Sequence, residues 1–235
     1  MDEKVLNAIR ILTRGHFDYQ RERMRLDGMI GVKKTGELKK VTPEREEALL
    51  MEIIKRRDDV FSIEETLKKE LAKEVAKHPL WNGFLKDVKG CGEGIAAVII
   101  TEIDINKAKY VSNIWSFAGF APGKDKKKKG EKCSYNQFLR MVLAGRLGPS
   151  FLKCNSPYRA FYDNMRLRLD SEEWGRDSKN PSDKKHPKAG HQHRAANRYM
   201  VKMFLKDLYV AWRAIECLPV AEPYQEKYLG HRHAS

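Results

Sequence analysis

Apolar residues recur at helical intervals along nearly every segment of this 235-residue chain, and no stretch alternates apolar with polar residues as a half-buried strand does. That periodicity confines the fold to the all-α class. From Asp2 to about Ile30 the spacing of Val5, Ile9, Leu12, Tyr19, Leu26 and Met29 predicts one amphipathic helix. Gly31–Val41, with two glycines and four lysines, reads as a turn. Thr42-Pro43-Glu44 then supplies a capping hydroxyl, a proline at the first helical position and an acid near the positive end of the helix dipole. A second run follows, with Leu50, Ile53, Ile54, Phe61, Leu67, Leu71 and Val75 on one side, and continues to about Lys77. Ser62 and Glu65 fit a capping box, so this run is either one long helix or two broken near Phe61. Residues 1–78 therefore form a helical-hairpin or coiled-coil arm, suited to packing or to self-association as a homo-oligomer.

After His78-Pro79 the sequence changes character. Leu80–Val88 is expected to be a short helix, the glycines Gly90, Gly92 and Gly94 follow, and Ile95–Ile103 is an apolar, alanine-containing helix. Further helices are expected over Tyr110–Phe120, ended by Gly119 and Pro122, and over Ser134–Leu147, Pro157–Leu169 and Gln192–Cys217. The last carries Tyr199, Met203, Leu208 and Trp212. Trp115, Phe117 and Phe120 have the spacing of a buried helix face rather than a base-stacking platform. Gly175–Gly190 reads as a polar, basic loop, which leaves a helical domain over 79–217 and a polar tail over 218–235.

Charge points to the partner. Lysine and arginine number 46 against 32 acids, a formal charge of +14. Such a surplus favours a polyanion, because each cation set on a phosphate releases condensed counterions. Cys91, Cys133, Cys154 and Cys217 form no CxxC pair, nothing at the N-terminus reads as a secretory signal, and charged residues interrupt every apolar stretch. These features predict reduced thiols, a cytoplasmic protein and no membrane span.

The sharpest local signal is Val88-Lys89-Gly90-Cys91-Gly92-Glu93-Gly94-Ile95-Ala96-Ala97. An apolar residue, Gly-x-Gly and a small-residue helix in that order resemble a helix-hairpin-helix motif. Gly90 and Gly92 are expected to take positive φ in a tight turn, letting backbone amides approach a phosphate. The amides opening the next helix then face an anion that its dipole favours. Lys89, Gly90, Cys91, Gly92, Glu93 and Gly94 are the expected contact residues. Lys124, Lys126, Lys127, Lys128, Lys129 and Lys132, with Arg140, form a candidate second phosphate track, and Lys184, Lys185, Lys188, His191, His193 and Arg194 a candidate third. Such contacts grip backbone and carry no sequence information.

From Leu80 onward the order of elements resembles the C-terminal domain of insertion-sequence transposases of the Piv and "IS-one-ten" type. The matching residues are Gly90-Cys91-Gly92 with Ala96-Ala97, Thr101-Glu102-Ile103, Phe117-Ala118-Gly119-Phe120-Ala121-Pro122, then Gly130, Ser134, Asn136, Leu139 and Arg140. Pro157-Tyr158-Arg159-Ala160-Phe161-Tyr162 and the closing helix up to Trp212 extend the likeness, and the N-terminal pair of helices is similar to that family's coiled-coil linker. The resemblance implies DNA recombination or transposition, by enzymes that join a RuvC-like nuclease domain through the coiled coil to a domain with a catalytic serine, some guided by RNA. This sequence opens on the coiled coil, so no RuvC-like domain is expected. Its stretch from Gly123 to Lys132 holds no serine where the family's lies, and Ser134 is the nearest candidate nucleophile.

The reading is therefore a DNA-binding protein of the recombination or transposition type, without cleavage by the chain alone. One alternative is an active recombinase or nuclease using Ser134 or a metal-bound acid cluster. Another is a module for structured RNA. No cofactor is expected, with Mg2+ needed only if the chain is catalytic. His186, His191, His193, Cys154, His231 and His233 have no standard zinc spacing, and Asp170, Glu172 and Glu173 read as a solvated helix end, so no metal site is assigned.

Overall fold

The computed structural model describes residues 3–31, 44–122, 130, 133–171 and 187–221. The protein is all-α, and among the described residues there is no strand. The chain divides into two compact units, Met1–His78 and Pro79–Ser235.

In the first unit, α1 (Glu3–Ile30) and α2 (Glu44–Val75) pack along each other. Helix α2 runs unbroken past Phe61, and the Ser62 carbonyl accepts a hydrogen bond from Thr66 Oγ1 at 2.9 Å within it. The break near Phe61 does not occur. Ile9, Thr13, Phe17, Leu26 and Ile30 of α1 and Val60, Leu71 and Val75 of α2 are buried. Tyr19, Met29 and Phe61, expected among them, are exposed. Part of the seam is polar: midway along the two helices Gln20 and Arg23 meet Glu64, which is buried. A pattern built from apolar residues alone steps past these positions onto their neighbours. Arg23 Nε binds Glu64 at 2.5 Å, Gln20 Nε2 donates to Glu64 at 3.2 Å, and Arg23 also holds Asp27 at 2.9 Å. The hydrogen bond to Glu64 is the main influence raising the Arg23 pKa.

In the second unit the helices are α3 (Pro79–Gly83), α4 (Glu93–Glu102), α5 (Val111–Phe117), α6 (Gln137–Val142), α7 (Gly148–Lys153), α8 (Arg159–Ser171) and α9 (Pro187–Ile215). Short 3-10 turns span Leu85–Asp87 and Ile105–Lys107. Helix α9 is the spine, with α3, α5, α7 and α8 packed on it through Ala196, Met200, Phe204, Leu208 and Trp212 among others. Helix α4 is buried from Ala96 to Thr101, as an element apolar on every side must be.

Several boundaries differ from those the periodicity predicts. The helix expected from Ser134 begins at Gln137, because Asn136 caps it by accepting from Leu139 N at 3.0 Å. Instead of stopping at Leu147 it passes through a π turn, Leu143–Leu147, into α7. The Ala144 carbonyl there accepts from Asn197 Nδ2 at 2.9 Å, and a Cβ on Gly148 would collide with the Asn197 side chain. Phe117 is exposed, since α5 turns Val111 and Ile114 inward, while Phe120 is buried and Trp115 half-buried. The last helix starts at Pro187, inside the stretch read as a loop. Leu218–Ala221 fold back on α9, where the Pro219 carbonyl accepts from Arg213 Nε at 2.6 Å.

Candidate nucleic-acid interface

The segment read as a hairpin runs through α3, the 3-10 turn Leu85–Asp87 and the start of α4. Cys91 N returns to the Val88 carbonyl at 2.9 Å, closing the turn around Gly90, whose φ is +99°. Only glycine takes that conformation without strain. The space is closed as well: a Cβ there would lie 2.9 Å from Cys154 Sγ and 3.1 Å from the Phe151 ring. Ser150 Oγ donates to the Gly90 carbonyl at 2.8 Å, so the back of the turn rests on α7. Gly92 behaves otherwise. It is the extended N-cap of α4, with φ −78° and ψ 170°, which corrects the expectation of positive φ at both glycines. Gly92 is exposed, and nothing lies within 4 Å of a Cβ added to it.

Ile95 N and Ala96 N both bond to the Gly92 carbonyl, each at 3.0 Å. The amides of Gly92, Glu93 and Gly94 have no hydrogen-bond partner among the described residues, and no side chain caps them. Unpaired donors at the positive end of a helix dipole are what an anion seeks. Lys89 is exposed beside them. Glu93, also exposed, favours the helix end but repels an incoming anion. Cys91 is buried, and burial first, then Glu93, pushes its thiol up to about 12. It is a neutral packing group, and only its backbone belongs to the turn.

The other candidate residues scatter. Arg140 donates to the Gly119 carbonyl at 2.9 Å and lies over the Tyr135 ring at 4.8 Å, clamping the turn at Ala118-Gly119-Phe120. Asn136 Nδ2 donates to Glu102 at 2.6 Å, which joins the end of α4 to the start of α6. Ser134 is exposed in the loop before α6. Lys124, Lys126, Lys127, Lys128, Lys129, Lys132, Lys184 and Lys185 lie outside the described residues, as do His186, His231, His233, Glu172 and Glu173. Lys188 stands in the first turn of α9 and Asp170 near the end of α8. His191, His193 and Arg194 are exposed on α9, and His193 Nδ1 lies 2.8 Å from the hydroxyl of Tyr162. Among the described residues no three His, Cys, Asp or Glu side chains gather as metal ligands, and no helix is long and apolar enough to cross a membrane.

The support that Ser150, Phe151 and Cys154 give the hairpin is absent from the sequence reading. Its one trace is the apolar residue Phe151 three places before a cysteine, a pattern too common to single out. No protein-family model, no curated protein and no solved structure matches this chain.

Proposed function

We propose that this chain is a DNA-binding protein of the recombination or transposition type that grips the phosphate backbone at the N-terminus of α4. The observation that carries the reading is the set of amides at Gly92, Glu93 and Gly94 that lack a partner among the described residues at the start of a ten-residue helix, with Gly92 and Glu93 exposed and Gly94 half-buried. The net charge of +14 favours a polyanion over other anionic ligands. The transposase-like order of motifs supplies the recombination context.

Gly92→Val tests the grip. Valine accepts the extended backbone of Gly92 and meets no neighbour there, so the fold is expected to hold while two methyls obstruct the approach to the amides. Affinity for duplex DNA, read by fluorescence anisotropy, is expected to fall about tenfold, the effect of losing one or two charge-assisted hydrogen bonds. A variant with parental helicity and parental affinity would place the contact elsewhere.

A further inference from the structure

Beside the hairpin, within the second unit, a pocket of about 360 Å³ opens between the end of α3, the start of α8 and the middle of α9. Its volume falls in the range of small-ligand sites. The apolar walls are the half-buried rings of Phe84, Tyr158 and Phe161. Tyr158 is braced from behind by Phe151, at 5.1 Å between centroids, and by Phe204 at 5.5 Å. Its hydroxyl donates to Asp207 Oδ2 at 2.9 Å, which fixes that carboxylate and leaves Oδ1 as an acceptor. Burial, and then the charge of Asp207, raises the Tyr158 phenol far above its usual range, so it remains a donor. Asp87 adds a second exposed carboxylate, and Lys89 stands on the rim where the hairpin begins. Ser156, also on the wall, is buried, and its hydroxyl has no partner among the described residues.

Two carboxylates in a chain with 14 excess positive charges make this a poor seat for phosphate. A flat ring carrying N–H donors matches it in both respects: aromatic walls stack on a π face, and carboxylates accept from amino groups. We propose that the pocket takes a single unstacked nucleobase with an amino group on its pairing edge, from a strand whose backbone is held at the hairpin and Lys89. The inference rests on the DNA-binding reading. Cytosine, adenine and guanine meet the requirement. Thymine sets two carbonyl oxygens against the carboxylates and is disfavoured.

The test uses the full chain and a set of duplexes, identical except for one unpaired nucleotide, which is dC, dA, dG, dT or an abasic residue, with the perfect duplex as reference. Binding is read by anisotropy at fixed salt. The dC, dA and dG bulges are expected to bind about tenfold more tightly than the abasic bulge, a gain typical of one stacked base, and more tightly than the dT bulge, which stacks but brings no amino group to the carboxylates. Asp207→Asn and Asp87→Asn change exposed residues and are expected to remove the preference of dC, dA and dG over dT, each affinity being taken relative to the same variant's perfect duplex, because the lost negative charge strengthens binding to every duplex alike. Equal gain from every bulge, abasic included, would mean that only flexibility is sensed and would overturn the pocket. So would a preference over dT that survives both substitutions, or no preference at all, as a site for a cationic peptide side chain would give. Failure to bind even the perfect duplex would instead sink the DNA-binding reading itself.

Discussion

Gly90 and Gly92 sit two residues apart and do different work. Gly90 is needed by the turn, with φ +99° and no space for a Cβ, whereas Gly92 is needed only if something approaches it. Gly90→Ala is therefore expected to cost about 2 kcal/mol of stability in urea unfolding, from the left-handed backbone and the crowding against Cys154 and Phe151. An alanine variant as stable as the parent would show that the turn relaxes freely. Cys91 yields a pH prediction. Burial, and then Glu93, pushes its thiol from the ordinary 9.0 of the unfolded chain up to about 12. Between those values the folded chain holds a proton that the unfolded chain has lost, so its contribution to stability is complete below pH 9 and disappears as pH rises towards 12. The parent is expected to lose stability more steeply than Cys91→Ala across that window. At pH 8 iodoacetamide should label the exposed Cys217 well before Cys91, as read by mass spectrometry.

At the scale of elements, the arm shows how a polar cluster sets the register of two helices. Glu64 lies in the seam with its charge met by Arg23 and Gln20 across the hairpin. Arg23→Ala leaves a buried carboxylate without its cation, held by Gln20 alone, and is expected to destabilise the arm by about 3 kcal/mol, measured as helicity lost in urea. Replacing both partners, Arg23→Met with Glu64→Met, removes the charges together and should recover most of that loss. Equal loss in single and double variants would show that packing, not charge pairing, governs the seam. The π turn before α7 has a comparable role in the second unit, since it frees the Ala144 carbonyl for Asn197 and carries the chain on to the helix that supports the hairpin.

For the whole molecule the charge excess gives the broadest prediction. Affinities for duplexes of unrelated sequence are expected to be similar, and log K should fall linearly with log salt by about 0.9 for each phosphate neutralised. A flat salt response would remove the electrostatic basis of the DNA reading. The sequence alone determined the helical class and the change of character after His78-Pro79, because helical periodicity and local composition are properties that survive any tertiary arrangement. It misjudged Tyr19, Phe61 and Phe117, whose burial depends on which neighbour the seam or core admits. Tertiary structure alone decided that Gly92 is extended while Gly90 is left-handed, since α7 closes on one and leaves the other open. It alone brought Asp87 of the first short turn, Tyr158 before α8 and Asp207 of α9 to one pocket. Residues so far apart in the chain meet only through packing on α9, and no local pattern encodes that meeting.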